Sequence, residues 1–503
     1  MALLAIFALG AIFLIGRALL VPPSTYRKAR VESLAYESDF PTPGGLGAFA
    51  ASCFKIIDWF HVTALHQQCD PVAFKNKKIG EIESLAERHE VGEILHDLIQ
   101  KDGAGSWPPN ANHDNSTWPA ALRAYMDIYL EMAPLLPQAT PSLDDEVNVA
   151  RISAFRLRFQ DLLRERVDVV AVTKLLVAVS AGGWAELPRD VYNAFYCCIA
   201  SSRHAYRWAT IPVVKAAQIE KAVNLPIELR EPWTLMQQHF GCASEAGNNT
   251  SNLVLKFDTN GTYNYEINSG MATNVLAGEE TFARIFYDVE VFGVPIYCDM
   301  VHAIVAFSRS DTAACAQHVA NMTSQLRLVT GSYMENMHDK VIAQSVWLSK
   351  IQGFYGWGIG YFDADENAWE KFDGLSGNQV LLFQALDAFL GIDQYLSARD
   401  QERNVPRRQR DLCHALRKYS FRGVLSDGGE DENVHRILRD FDAILKRLRL
   451  FCATHRTRSK IYLSHPAPER LPMTAGKSLL APDIGESLEF LDTFMERRLA
   501  QTV

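Results

Sequence analysis

Residues able to do chemistry are grouped in the stretch GLSGNQVLLFQALDAFLGI, residues 374–392. Ser376 and Gly377 lie in a polar turn, and Asp387 is the one carboxylate in the apolar segment that follows. Glycine lets the backbone approach another chain element or a flat ligand closely. The stretch therefore indicates a ligand-lining loop in front of a buried helix, or, as the simpler alternative, an ordinary core helix after a glycine turn.

Metal-binding patterns elsewhere in the chain are weak. His89, His96 and Asp97 lie on a predicted helix over residues 80–100, but the HExxH spacing is absent. The carboxylate-rich run at residues 362–373 lacks the glycine and terminal glutamate of an EF-hand loop, so we predict an acidic surface loop there. The nine cysteines are scattered without a CxxC pair, which is typical of reduced structural thiols and not of a zinc site.

The elements that must position these residues are predicted to be mostly α-helical. The segment after Gly377 carries apolar residues at three- and four-residue spacing, which predicts a helix with one face in the core. Residues 282–290 also predict a helix. By contrast, residues 253–267 show two β-rich runs around Asn260 and Gly261, which predicts a small β-hairpin.

The order of these segments resembles the indoleamine 2,3-dioxygenase family, which is all-helical and binds heme. The pattern S-x-x-Q-x-x-x-F-Q-x-x-D-x-x-L-G-I at residues 376–392 carries the resemblance, as does MHDKVIAQSVWLSKIQGFYGW at residues 337–357 with its His338-Asp339 pair. The tail keeps the spacing from His455 to Tyr462. The resemblance extends in consistent order over roughly residues 191–503.

The resemblance implies a substrate pocket on the distal side of a heme. Carried over position by position, the pocket would be lined by Phe282, Phe286, Val346, Trp347, Lys350, Ile351, Ser376 and Gly377. Phe286 stands where the family often has a small hydroxyl residue, so its ring would reshape the pocket.

Ile351 is a departure that affects the substrate, because the family has its carboxylate-binding arginine at this position. An isoleucine cannot replace a bidentate guanidinium, and Lys350 would point about 100° away on a helix. Free tryptophan is therefore a doubtful substrate.

A second departure concerns the cofactor, which the resemblance implies to be heme b. Gln409 takes the position of the histidine that ligates the iron, and an amide oxygen is a poor ligand for this chemistry. His414 lies five residues on, roughly 140° around a helix, and would serve only if the helix rotates or shifts. Either the axial ligand has moved to His414, or the chain keeps the fold without the usual heme.

The N-terminus predicts a membrane anchor. Residues 1–21 are apolar apart from Arg17, long enough to span a bilayer, and positive residues follow the segment without preceding it. This asymmetry of positive charge predicts that the rest of the protein lies on the cytoplasmic side, and the expected membrane is that of the endoplasmic reticulum. A cleaved signal peptide and a secreted protein form the alternative. The N-x-S/T sequons would be expected in a protein that faces the lumen, whereas the odd number of cysteines favours a protein that faces the cytosol.

We therefore predict four segments: an anchor (residues 1–21), a basic proline-containing linker (22–30), an N-terminal helical domain ending in the hairpin (31–270) and a C-terminal heme-type domain (271–503). The net charge of −9 argues against nucleic acid as a partner. The first functional hypothesis is a dioxygenase that inserts O2 into an indole or related aromatic. The second is a membrane-tethered, heme-free binding protein on the same fold.

Overall fold

A computed structural model describes residues 71–463 and residue 500, with gaps at 104–107, 139–141, 143, 211–216, 218–219, 221, 358–359, 364–367, 372–376, 395 and 426–430. The chain divides into two compact units, residues 1–69 and 70–503. The predicted anchor and linker lie outside the described residues. The boundary predicted between residues 270 and 271 falls within the second unit and stays a prediction.

The described part of the chain is mostly helical, as predicted. In chain order its helices are α1 (Pro71–Ala86), α2 (Glu90–Asp97), α3 (Ala120–Met132), α4 (Leu135–Gln138), α5 (Asp145–Arg166), α6 (Val169–Ser180), α7 (Arg189–Trp208), α8 (Ile227–Phe240), α9 (Asn249–Asn252), α10 (Thr273–Ser308), α11 (Thr312–Asn336), α12 (Gln344–Val346), α13 (Leu381–Leu390), α14 (Ala398–Asn404), α15 (Arg407–Lys418) and α16 (Glu432–Leu463). The helix predicted over residues 80–100 is interrupted, because His89 caps the start of α2 by accepting a hydrogen bond from the Val91 backbone N–H.

Capping residues explain where several of these helices begin and end. Asp144, Asp168 and Asp311 each accept backbone N–H groups at the starts of α5, α6 and α11. These bonds satisfy donors that the first helical turn leaves without partners. Gly391 ends α13 with φ of 70°, a left-handed conformation that glycine adopts without strain.

Helix α10 is the central element of the fold and carries the segment predicted as a helix at residues 282–290. It is 36 residues long and packs along α11, α13 and α1. Among the described residues it is the one helix long and apolar enough to cross a membrane, but 67% of its most apolar window is buried in the protein. A buried core helix has the same length and composition, so this feature alone does not indicate a membrane span.

Helix α13 confirms the predicted core stripe. The six apolar residues of the stripe are Leu381, Leu382, Ala385, Leu386, Phe389 and Leu390, and all are buried. Asp387 is buried on the same helix. Burial raises the pKa of the Cys413 thiol on α15 to about 12. The nearby negative charges of Asp387 on α13 and of Glu290 on α10 raise this pKa further. Helix α13 therefore packs closely against α10 and α15.

The β structure differs from the prediction. Val254–Lys256 forms a 3-10 turn, and a single antiparallel bridge between Phe257 and Tyr263 replaces the two predicted strands. The described strands are β1 (Gly360–Asp363) and β2 (Ala368–Lys371), which pair antiparallel with Gly360 opposite Lys371. Strand β2 and the second half of β1 fall in residues 362–373, for which the sequence predicts an acidic loop, so that prediction is wrong for these residues.

Candidate functional site

Two of the predicted pocket residues pack directly on helix α10. A Cβ atom placed on Gly278 would lie 3.3 Å from Val346 Cγ1 and 3.9 Å from Ile351 Cδ1. Val346 and Ile351 are both buried. The missing side chain at Gly278 thus lets the turn after α12 approach α10 closely, one helical turn before Phe282.

The aromatic wall of the site comes from α10 and from the end of that turn. The rings of Phe282 and Phe286 meet edge to face with centroids 5.5 Å apart, and Phe282 also lies 5.7 Å from the ring of Tyr355. Both distances are typical of favourable aromatic pairs. The two phenylalanines therefore pack against each other and against Tyr355, and their role in lining a substrate pocket stays a prediction.

Gly377 lies close to Phe286 of this wall. A Cβ atom at Gly377 would lie 3.9 Å from both Phe286 Cε1 and Tyr333 Oη. A Cβ atom there would make ordinary van der Waals contact with both atoms, so the Gly377 backbone, the edge of a phenyl ring and a phenol oxygen lie next to one another. Ser376 lies outside the described residues.

Trp347 and Lys350 lie at the edge of the site, and both are half-buried. The Trp347 ring packs 5.3 Å from that of Tyr462, whose hydroxyl donates to the Ile342 carbonyl at 2.8 Å. Burial lowers the pKa of Lys350. This half-buried ammonium is not the geometric equivalent of an arginine at position 351.

The predicted pair His338 and Asp339 has its own contact. Asp339 Oδ1 lies 2.8 Å from His338 Nδ1, and both side chains are exposed by more than a third. The pair lies in the turn between α11 and α12, and Tyr462 and Arg458 of α16 bond to carbonyls of the same turn. Its location therefore indicates a role in that turn.

Gln409 and His414 lie on opposite faces of α15. Gln409 is 2% exposed and faces the core, whereas His414 is exposed. The buried face carries no histidine, because its other residues are Leu412, Cys413, Ala415 and Leu416. A heme ligand at His414 stays a prediction that would require α15 to rotate.

Other buried histidines are occupied by contacts within the protein. His113 Nε2 lies 2.7 Å from the Leu255 carbonyl oxygen, and both ring nitrogens of His204 lie 2.8 Å from carbonyl oxygens. Across the described part of the chain, no group of three or more His, Cys, Asp or Glu residues is arranged to hold a metal ion.

A buried polar network beside the pocket fixes the loop before α10. Glu279 is fully buried and accepts hydrogen bonds from the Tyr263 hydroxyl at 2.8 Å and from the Ile267 backbone N–H at 2.7 Å. Lys256 Nζ donates to Tyr263 Oη at 3.2 Å and to the Tyr265 carbonyl at 2.6 Å. Burial lowers the pKa of Lys256. The network anchors this loop one turn before Phe282.

Sequence reasoning missed a second polar group at the site, made by Tyr333 with His455 and Ser459. Tyr333 Oη lies 3.5 Å from His455 Nδ1, and Ser459 Oγ lies 3.4 Å from His455 Nε2. Burial lowers the pKa of His455 to about 4. The spacing from His455 to Tyr462 was visible in the sequence, but nothing there paired it with a tyrosine 122 positions earlier.

Comparison with known proteins assigns a family to this region. A family model described as "Indoleamine 2,3-dioxygenase" matches residues 192–479, more than half of the chain. The matched range contains all the predicted pocket residues together with Gln409, His414, Tyr333 and His455. A search of curated proteins found no match.

Proposed function

Because this chain belongs to the indoleamine 2,3-dioxygenase family, we propose that it is an oxidoreductase that inserts O2 into an indole or related aromatic substrate without a free carboxylate. The observation that carries the proposal is the aromatic wall of Phe282, Phe286 and Tyr355, which lies within the matched range. Such a wall binds a flat aromatic ring by burying its faces and edges.

The chain's own residues would orient the substrate and exclude water. Phe282 and Phe286 offer ring edges and faces, and Val346 and Ile351 supply buried aliphatic surface next to Gly278. Holding a ring in one orientation lowers the entropic part of a reaction barrier. Ile351 offers no partner to an anion, which supports a substrate without a carboxylate.

Heme is the cofactor that the family implies, and on binding it would supply O2 activation. The described residues do not fit an imidazole-ligated heme. Gln409 is buried at the ligand position, where its amide oxygen is a weak donor to iron, and His414 faces solvent. We therefore derive no catalytic step through the iron, and heme b as the cofactor remains a proposal.

The second candidate is a heme-free binding protein on the same fold. The burial of Gln409 favours it, because a buried glutamine on the core face of α15 gives iron no nitrogen ligand. Ile351 favours it as well, since the usual amino-acid substrate would lack its carboxylate partner. In both candidates the same pocket holds a small aromatic molecule.

The deciding experiment compares heme binding by the wild type, Gln409→His and His414→Gln. The dioxygenase proposal predicts that the wild type binds heme at one equivalent, with a Soret band that shifts on reduction and on addition of carbon monoxide. It also predicts O2 uptake with indole. If His414 is the relocated ligand, His414→Gln abolishes these spectral shifts.

The opposite result would establish the heme-free alternative. In that case the wild type and His414→Gln bind no heme, whereas Gln409→His acquires a reducible heme, because an imidazole then occupies the ligand position of an intact fold. Circular dichroism of all three proteins serves as the control for folding.

We also propose that residues 1–21 form a single-pass anchor, with the body of the protein on the cytoplasmic side of the endoplasmic reticulum membrane. The apolar composition of this segment and the positive residues after it support this. Secretion after removal of a signal peptide is the alternative.

A further inference from the structure

The hydroxyl of Tyr333 is a polar atom close to the aliphatic and phenyl side chains of the site. Phe282, Phe286, Val346 and Ile351 present only carbon atoms. Tyr333 comes from a different helix, α11, and its Oη lies 3.9 Å from the position that a Cβ at Gly377 would occupy. Phe286 Cε1 is at the same distance from that position. The phenol oxygen therefore lies close to both the Gly377 backbone and the edge of the Phe286 ring.

Packing fixes the direction of the phenol. The Tyr333 side chain is 5% exposed, and its ring meets that of Phe451 edge to face at 4.9 Å. Phe383 makes a second edge-to-face contact at 6.4 Å. Because two elements, α13 and α16, hold the ring, packing places the phenol oxygen beside Gly377, whereas the direction of its O–H depends on its hydrogen-bond partner.

His455 is the protein partner of the hydroxyl, and the contact is long. Its Nδ1 atom is 3.5 Å from Tyr333 Oη, beyond the usual range for a hydroxyl donor. Burial lowers the pKa of His455 to about 4, so the ring is neutral near pH 7. Burial also raises the pKa of Tyr333, which keeps the phenol protonated. A neutral phenol with a weak partner can turn to a ligand at little cost.

We propose that Tyr333 is the hydrogen-bonding residue of this pocket and selects aromatic ligands that carry an N–H or O–H group, such as indoles and phenols, over plain hydrocarbons. His455 is a positioning residue, because its Nδ1 atom can accept the phenol O–H and thereby leave the Tyr333 oxygen to accept a ligand N–H. This inference rests on the pocket of the proposed function but is independent of its oxidation chemistry.

The test measures the affinities of the full-length protein for indole and indene by equilibrium dialysis. Indene has the same shape as indole but carries CH2 in place of N–H. In Tyr333→Phe we expect indole binding to weaken by about three- to tenfold, the range for one neutral hydrogen bond. Indene binding should not change. Tyr287→Phe is the matched control, because Tyr287 is half-buried on α10 and stacks on Phe257.

A second pair of variants tests the positioning role. His455→Gln keeps a hydrogen-bonding group, so it should retain most of the preference for indole over indene. His455→Leu should lose this preference while still binding indene. A role in packing alone would change both affinities together in both variants.

Gly377→Ala provides an independent check if Tyr333→Phe does not fold. Its methyl group would meet Phe286 and Tyr333 at ordinary contact distance, so the fold should tolerate it. The methyl would obstruct the approach of a ligand N–H to Tyr333 Oη. The indole affinity should then fall towards that of indene.

The outcomes separate this inference from the proposed function. An unchanged ratio of indole to indene affinity in Tyr333→Phe overturns the inference alone, as does an equal loss of both affinities. Failure of the wild type to bind either ligand overturns both proposals. Normal selective binding without O2 uptake would support the inference and count against the oxidation chemistry.

Discussion

Two single residues, Gln409 and Ile351, are the departures from the family pattern that the resemblance points out. Each stands where the resemblance places a nitrogen-bearing side chain, and each is buried. A buried position excludes water as a substitute partner, so a heme iron or a substrate carboxylate would meet carbon or a weak amide. These two positions carry more functional information than the many apolar residues around them.

At the same scale, His113 leads to a prediction about how the stability of the protein depends on pH. Burial lowers its pKa from 6.5 to about 4, and its Nδ1 atom has no hydrogen-bond partner within the described residues. The unfolded imidazole takes up a proton below pH 6.5 while the folded one stays neutral. Stability is therefore complete above pH 6.5 and falls as the pH drops towards 4, by about 3 kcal/mol for this residue.

The measurement is urea unfolding of the wild type and His113→Gln at pH 7.5 and 4.5. The loss of stability between the two pH values should be smaller in His113→Gln by roughly 2–3 kcal/mol. His414→Gln is the matched control, since His414 is exposed. Equal pH dependence in all three proteins would contradict the prediction.

At the scale of elements, Glu290 joins α10 to the start of α13. Its carboxylate accepts hydrogen bonds from the Leu381 backbone N–H at 2.8 Å and from the Tyr297 hydroxyl at 2.9 Å. In Glu290→Gln an amide NH2 would face one of these donors. We expect a loss of about 1–3 kcal/mol in the free energy of unfolding, the cost of a buried donor without an acceptor.

Urea unfolding of Glu290→Gln against Glu335→Gln checks this. Glu335 lies on α11 with an exposed side chain, so its substitution should change stability by less than about 0.5 kcal/mol. If the two variants were equally stable, Glu290 would not be the group that links the helices.

The predicted hairpin at residues 253–267 shows how a tertiary contact can override a local pattern. The turn itself forms, with Gly261 at φ of 77°. After Tyr263, however, the backbone N–H groups of Ile267 and Asn268 bond to the Glu279 carboxylate. A buried acceptor on α10 therefore takes donors that strand pairing would have used.

At the scale of the whole molecule, the proposed anchor gives the clearest prediction. We expect the full-length protein to stay with membranes after an alkaline carbonate wash and a variant without residues 1–23 to be released. The physical reason is that burying about twenty apolar residues in a bilayer is strongly favourable. Full-length protein in the soluble fraction, or an N-terminus shortened by cleavage as seen by mass spectrometry, would contradict the anchor.

The sequence by itself determined the helical class, the family and the core face of α13. These follow from local periodicity and from motifs kept in order along the chain, which need no knowledge of distant contacts. The positions proposed to line the pocket come from the resemblance, which carries them over one by one, and they stay predictions.

Only the tertiary structure decided which residues meet around Tyr333. Tyr333, Gly377 and His455 lie on separate elements, and the last is 122 positions from the first. The structure likewise decided that Gln409 faces the core and His414 faces solvent, since two residues of one helix differ in burial only through what packs against each face. Local sequence records spacing along a helix, but the neighbour on each side is set by the packing of the whole chain.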